Sequence, residues 1–223
     1  MTEPTAWELA YQRLDTPAQE RKKFIRRLRS IGVHRWNRQA RVLEICSGRG
    51  NGMVAWRDLG FTNVCGVDLS LALVEVSPLR RSCIVGDARR LPILTASRDV
   101  AIIQGGLHHL PSFDDVREGL AEMRRVLKPD GHVIIIEPWL TPFLRVVHFV
   151  TERPAARALW NRLDAFAAMV EAERPIYQNW LAQPTRILDA IAREFEPTWM
   201  RTRWGKLMFV GRPRCHRNLE LKT

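Results

Sequence analysis

The stretch Glu44-Ile-Cys46-Ser-Gly48-Arg-Gly50-Asn-Gly52 sets an acid four residues ahead of a G-x-G-x-G turn. A carboxylate inside an otherwise apolar run is expensive unless it binds something. A cationic or multi-donor ligand would compensate Glu44, whereas a pyrophosphate would be repelled. The dinucleotide fingerprint G-x-G-x-x-G read from Gly48 would need glycine at 53, where Met53 stands. Asp68 and Asp87 follow the next two apolar runs, with Asp68 at the reach expected of an acid that grips ribose hydroxyls. Asp87, with the Ala88 N–H beside it, can accept from an adenine amino group. Each aspartate taken singly could instead cap the helix or turn that follows it. Three carboxylates at three successive strand ends together favour a cationic nucleoside. Further along, His108, His109 and Glu137 are groups able to hold or move a proton near neutrality.

These residues need a scaffold that brings strand ends together. Arg41–Cys46, Asn63–Asp68, Ser82–Gly86, Asp99–Gln104 and His132–Glu137 read as near-continuous apolar strands alternating with helices. That pattern predicts an α/β fold with a parallel sheet covered on both faces. Ser112 caps a helix whose apolar stripe is Val116, Leu120, Met123 and Leu127, ended by Pro129-Asp130-Gly131. Residues 3–31 read as helix. In the last third, Phe143, Val146, Val147 and Val150 suggest one helix, and Leu159, Leu163, Phe166 and Met169 another. Pro184 splits a third helical segment. Trp199–Arg203 and Leu207–Gly211 read as a closing antiparallel hairpin.

Composition bounds the function classes. The 223 residues carry 46% hydrophobic and 26% charged side chains, the balance of one globular domain with decoration. The longest uncharged run, Val100 to Phe113, is interrupted by Gly105, Gly106 and Pro111, so no transmembrane segment is expected. The start of the chain lacks a signal pattern, and a soluble, cytoplasmic protein is the expectation. Four scattered cysteines form no C-x-x-C pair, which argues against a zinc site. The net charge of +11 comes from 30 Arg and 5 Lys and lies in the flanks. Residues 1–41 have ten basic against four acidic side chains, and residues 139–223 have fourteen against eight, while the middle is nearly neutral. Such flanks raise a polyanionic partner, nucleic acid or membrane surface, though no basic motif interleaved with aromatics appears.

The sequence resembles the class I S-adenosylmethionine-dependent methyltransferases, of the small-molecule type that includes ubiquinone and menaquinone methyltransferases. The motifs that carry the likeness are Val42–Gly50, Val67-Asp68-Leu69-Ser70, Gly86–Pro92, Leu107-His108-His109-Leu110-Pro111 and Leu127–Gly131. The resemblance implies a Rossmann-like, doubly wound, mostly parallel seven-stranded sheet with an antiparallel C-terminal hairpin. It divides the chain into an N-terminal helical lid (1–40), a cofactor-binding core (41–138), a helical acceptor lid (139–195) and the hairpin (196–212). It implies S-adenosyl-L-methionine as cofactor. Glu44 would lie near the methionine amino end, and Gly48 and Gly50 beneath the cofactor. Asp68 and Leu69 would sit at the ribose, Asp87 and Ala88 at the adenine, and Gln104 at the methionine moiety. The family's usual first glycine is Cys46 here, which adds a side chain beside the cofactor.

Methyl transfer from a sulfonium is an in-line displacement, so positioning and exclusion of water carry much of the catalysis. The resemblance puts the loop 105–110 where the methyl group emerges. His109 is the first candidate for a base, His108 the second, and Glu137 a third that faces the same pocket. Trp7, Tyr11, Phe143, Trp160, Phe166 and Trp180 are candidates to line an apolar pocket for a small-molecule acceptor. The segment Trp139–Val150, apolar with Arg145 and His148, is a candidate for peripheral membrane contact. Gln104-Gly105-Gly106-Leu107 replaces the N-P-P-Y type motif of amino-methylating DNA enzymes, so a DNA methylase is not favoured. An RNA methyltransferase and a non-catalytic cofactor-binding partner protein remain the alternatives.

Overall fold

Residues 6–215 are described by a computed structural model, with the side chains of residues 6–8 and 12 outside that description. Seven strands, β1 (Val42–Ile45), β2 (Val64–Asp68), β3 (Cys83–Val85), β4 (Arg98–Gln104), β5 (Leu127–Pro138), β6 (Phe195–Arg203) and β7 (Lys206–Pro213), form one sheet in the order β3-β2-β1-β4-β5-β7-β6. The first five run parallel; β7 is antiparallel to β5 and to β6. Chain progression reverses between β1 and β4, and a crevice opens there at the carboxyl ends of the strands.

Side chains alternate across this sheet, as a period of two requires. Leu43, Ile45, Ala101, Ile103, Val133, Ile135 and Phe209 face one core, which is closed by α5 (Phe113–Val126) and α10 (Pro184–Glu194). Val42, Val64, Val100, Ile102, Ile134, Ile136 and Val210 face the other, where Leu28 of α2 (Pro17–Ser30) and Met53 and Trp56 of α3 (Asn51–Asp58) pack. The short α4 (Leu71–Glu75) follows β2, with Ser70 as its cap.

Helices α1 (Ala6–Leu14), α6 (Pro142–Thr151), α7 (Pro154–Leu159) and α9 (Arg174–Ala182) pack against α8 (Asn161–Ala172). Ion pairs hold α1 and the turn that follows it to α8: Arg13 meets Asp164, and Arg162 Nη2 reaches Asp15 Oδ1 at 2.8 Å.

Two local expectations change. The helix read over residues 3–31 is two helices, and its residues 3–5 lie outside the described ones. Thr16 breaks it by accepting from the Gln19 N–H, while Gln19 Oε1 accepts from the Thr16 N–H; this capping box with Pro17 behind it restarts the chain as α2. The helix capped by Ser112 stops at Val126 rather than running through Leu127. Pro129 pushes the residue before it, Lys128, out of the helical region; Leu127 is already extended (φ −74, ψ 141) and pairs with Arg98, while the register shifts ahead of the Val100–His132 pair.

Candidate active site

Glu44, in the middle of β1, is 3% exposed, with its carboxyl against Gly52 at the start of α3. Gln104, at the end of β4, donates from Nε2 to Glu44 Oε1 at 3.4 Å, and Glu44 Oε2 has no hydrogen-bond partner among the described residues. Burial pushes the Glu44 carboxyl up to about 8; the Gln104 contact opposes this, and the charges of Glu20 and Asp68 add to it. A Cβ at Gly52 would lie 1.9 Å from Glu44 Oε1, so the start of α3 approaches the carboxyl closely only because residue 52 is glycine.

The turn between β1 and α3 holds its shape through Asp68. Asp68 Oδ2 accepts the Gly48 N–H at 2.7 Å, and Oδ1 accepts the Ser70 N–H at 2.9 Å. Gly48 has φ +52 and a Cβ there would meet nothing within 4 Å, so the backbone faces open space. Leu69 stands 71% exposed beside it. Asp87 is braced by Arg89, whose hydrogen bonds hold its carboxyl below the usual range; Arg89 also reaches Asp115 Oδ1 at 2.6 Å. Ala88 is buried next to it.

Cys46 occupies the left-handed region, φ +54, which explains why glycine suits this position. Its side chain fits because residue 106 is glycine: a Cβ there would sit 2.8 Å from Cys46 Sγ. Burial pushes the thiol up, with further contributions from Asp68, Glu137, Asp87 and Glu44 in that order. The Cys46 side chain thus joins the end of β1 to the loop after β4, where Gly106 makes room for it. A thiol so disfavoured as thiolate is no nucleophile.

Glu137, at the end of β5, is fully buried and its carboxylate serves the loop after β4. Oε1 accepts the N–H groups of Gly106 and Leu107, each at 2.9 Å, and Oε2 lies 2.7 Å from His108 Nδ1. Burial raises its pKa, but these hydrogen bonds more than reverse that and leave it below the usual carboxylate range. The expectation that Glu137 faces an acceptor is therefore corrected: its lone pairs are directed at loop and imidazole. Burial, aided by His109, pulls His108 down to about 4. His109 pairs through Nδ1 with Glu173 Oε2 at 2.6 Å, at the junction of α8 and α9.

Sequence reasoning missed the contribution of α2. Glu20, its one acid, is buried and accepts from Asn51 Nδ2, with Arg49 Nη2 at 3.4 Å. Burial raises its pKa. The Arg49 guanidinium also covers the Tyr11 ring at 4.7 Å, so the N-terminal helices are fastened to the glycine turn itself. A lone acid among six basic side chains was the available signal. Arg27 of α2 and Lys206 of β7 are half-buried beside each other; burial, then Arg27, brings Lys206 down to about 8. Neither makes an ion pair with a described residue.

Of the expected pocket aromatics, Trp180 is buried and donates to the Pro138 carbonyl at 2.9 Å, while Phe166 stacks on His148. Phe143 and Trp160 are exposed, contrary to expectation, because α6 and the α7–α8 corner turn these positions outward. The side chain of Trp7 lies outside the described residues. A cavity of about 480 Å³ lies among α6, α7, α8 and α9, lined by Leu140, His148, Tyr177 and Leu181 among others. Among the described residues no His, Cys, Asp and Glu cluster suits a metal, and no helix is long and apolar enough to cross a membrane.

Strand order, reversal point and acid-tipped strands are those of the class I methyltransferase fold. Residues 43–135 match the family described as Methyltransferase domain. The chain is 30% identical to the demethylmenaquinone methyltransferase of Streptomyces griseus, over 75% of this chain and 71% of that one. It is 30% identical to the ubiquinone/menaquinone biosynthesis C-methyltransferase of Citrifermentans bemidjiense, over 73% and 82%. Against the demethylmenaquinone methyltransferase of Renibacterium salmoninarum it is 34% identical, over 55% of this chain and about half (52%) of that one. The crystal structure of the PH0226 protein of Pyrococcus horikoshii shares the fold at TM-score 0.69, with 19% identity over 95% of this chain and all of that one. The chain belongs to the class I S-adenosylmethionine-dependent methyltransferases, and S-adenosylmethionine is its cofactor. The residues present fit that group: a buried carboxylate oxygen without a partner suits an ammonium, and open space over Gly48 admits a ligand against the backbone.

Proposed function

We propose that this protein transfers the methyl group of S-adenosylmethionine to a small or medium-sized, largely apolar acceptor held beneath the helical lid. The bound cofactor supplies an electrophilic methyl group on a sulfonium. Glu44, with Gln104, binds the cationic amino-acid end. Gly48, Gly50, Asp68 and Leu69 seat the ribose, and Asp87 and Ala88 the adenine edge. The observation that carries this assignment is the buried Glu44 carboxylate oxygen left without a hydrogen-bond partner among the described residues, beside a glycine turn whose backbone faces open space at Gly48.

His108 is the base in this reading. Its neutral ring donates Nδ1–H to Glu137, which leaves Nε2 with a lone pair to take a proton from an enol, phenol or amine. Glu137 positions that ring and does not itself touch the acceptor. The lid helices α8 and α9 exclude water. The names of the relatives favour an activated carbon of an aromatic acceptor, with oxygen and nitrogen acceptors next.

Calorimetry with S-adenosylhomocysteine tests the cofactor half: saturable binding is expected, reduced at least about tenfold in Asp68→Ala by loss of the carboxylate's hydrogen bonds. Unchanged affinity would remove Asp68 from the site. Labelled S-adenosylmethionine with fractionated lipid, small-molecule and RNA extracts tests the acceptor half. Label arriving only in RNA would overturn the small-molecule reading.

A further inference from the structure

Helix α6 directs part of its apolar surface away from the protein. Leu144 is buried, whereas Phe143, Val146 and Phe149, spaced three apart, are 45%, 61% and 58% exposed. The tip of the β6–β7 hairpin continues this surface. Trp204 is 62% exposed and meets Phe143 edge-on, with ring centroids 5.1 Å apart. The two elements are locked together: Gly205 N–H donates to Thr141 Oγ1 at 3.0 Å, and Trp139 N–H donates to the Gly205 carbonyl at 2.9 Å. The surface is therefore a rigid, preformed patch.

Its charge is predominantly positive. Residues 139–151 and 199–206 contain no Asp or Glu, Glu152 next to Arg153 is the acid at the end of α6, and Arg145, Arg201 and Arg203 are exposed there. Arg203 lies over the Trp204 ring at 5.1 Å, and Arg153 over Phe149 at 3.6 Å. Scattered exposed hydrophobes are ordinary. A joined apolar and aromatic patch rimmed by arginines marks an interaction site.

We propose that this patch docks the protein on an anionic lipid bilayer. Phe143, Val146, Phe149 and Trp204 enter the boundary between headgroups and acyl chains, and Arg145, Arg153, Arg201 and Arg203 meet lipid phosphates. Aromatic rings with an adjacent cation suit that boundary, where one end of a side chain is dry and the other wet. A polynucleotide would engage the arginines but leave Val146 and Phe149 in water. A second copy of the chain would press four arginines against four.

The experiment is co-sedimentation of the full chain with phosphatidylglycerol–phosphatidylcholine vesicles and with phosphatidylcholine vesicles alone. The mixed vesicles bind the protein and the neutral ones do not, and binding weakens with salt. Phe143→Glu and Phe149→Glu each lower partitioning about tenfold or more. Leu94→Glu leaves it unchanged, since Leu94 is 80% exposed just before β4, at the opposite end of the parallel strands from α6. Calorimetry with S-adenosylhomocysteine and thermal melting on each variant register an intact fold. Equal binding of Phe149→Glu and wild type reduces the effect to surface charge and overturns the proposal. So does absence of binding to the mixed vesicles. Lipid-free self-association that Phe149→Glu abolishes would assign the patch to a second copy instead.

Discussion

His108 Nδ1 and Glu137 Oε2 lie 2.7 Å apart while the other oxygen of the same carboxylate holds the N–H groups of Gly106 and Leu107. A single buried side chain therefore fixes both the loop that ends β4 and the orientation of the imidazole on it. With Glu137 below the usual carboxylate range and His108 pulled down to about 4, the pair is an anion accepting from a neutral ring. The proton must then sit on Nδ1, and Nε2 is the basic atom. Glu137→Gln should lower kcat by about 10²-fold, the scale of a lost general base, while S-adenosylhomocysteine affinity in calorimetry stays within about threefold. Glu137→Ala should in addition destabilise the fold by about 2–4 kcal/mol, since two buried N–H groups lose their acceptor. A variant with normal kcat would leave His108 without a part in turnover.

The same pair sets a pH profile. A base with its pKa near 4 is already unprotonated at neutrality, so kcat should stay level from pH 7 down to about 5 and fall only near 4. An ordinary histidine would give the acid limb near 6.5. Folding follows the same sign. Between about 4 and 6.5 the unfolded chain binds a proton that the native ring does not, so the stability due to His108 is complete above 6.5 and is lost as pH falls toward 4. Steady-state rates with pre-bound cofactor, checked against thermal melts, separate the two effects. An acid limb at 6.5 would point to a different base.

Glu44 titrates in the other direction. Its folded pKa of about 8 lies above the ordinary 4.5, so between those values the native state keeps a proton that the unfolded chain has released. Its contribution to stability is therefore full below 4.5 and is lost as pH rises to 8. An ammonium beside Glu44 favours the ionised carboxyl. Affinity for S-adenosylhomocysteine should thus rise from pH 6 to 7.5 by up to about tenfold per unit. Glu44→Gln should flatten that slope and weaken binding, yet melt higher than wild type at pH 8. A slope that persists in Glu44→Gln would trace the pH effect to another group.

Much of this arrangement was legible in the sequence because strand period and turn chemistry are local. Ser112 with Asp115 forms the capping box that starts α5, and β1, β2, β4 and β5 overlap the apolar runs that carry Glu44, Asp68, Gln104 and Glu137. Tertiary pairing was not legible. Thr16 and Pro17 broke a pattern whose apolar period ran on, and Leu127 left the helix for the sheet. His109 ranked ahead of His108 on the family resemblance alone, since both sit in one turn, and only the position of Glu137 across the sheet and of Glu173 at the α8–α9 junction tells them apart. The segment Trp139–Val150 was legible as a candidate for membrane contact, but which of its side chains point outward was not: Phe143, Val146 and Phe149 are exposed and Leu144 is the buried one.

Cys46 tests the departure from the family pattern. Its left-handed backbone, φ +54, strains any side chain by roughly 1 kcal/mol, while its sulfur fills the space above Gly106. The two effects oppose each other, so Cys46→Gly should change stability by less than about 1 kcal/mol and leave cofactor affinity intact. Burial and four carboxylates keep the thiol protonated, so Cys46→Ser should retain kcat, and iodoacetamide at pH 8 should spare Cys46 while labelling exposed Cys215. Loss of turnover in Cys46→Ser would restore a chemical role for the sulfur.

His109 makes the opposite kinetic prediction to its neighbour. Its imidazole reaches Glu173 at 2.6 Å, at the junction where α8 gives way to α9, and so joins the loop after β4 to these two helices. The side chains are about a quarter exposed, which limits the pair to a modest contribution, on the order of 1 kcal/mol. Losing it should loosen the lid rather than remove a proton acceptor. His109→Ala should accordingly raise the acceptor KM about fivefold with kcat at saturation nearly unchanged, and Glu173→Gln should do the same. His108→Ala should lower kcat with little change in KM. Single-turnover rates at saturating acceptor distinguish the two patterns, and a His109→Ala enzyme whose chemical step slows about a hundredfold would exchange the roles of the two histidines.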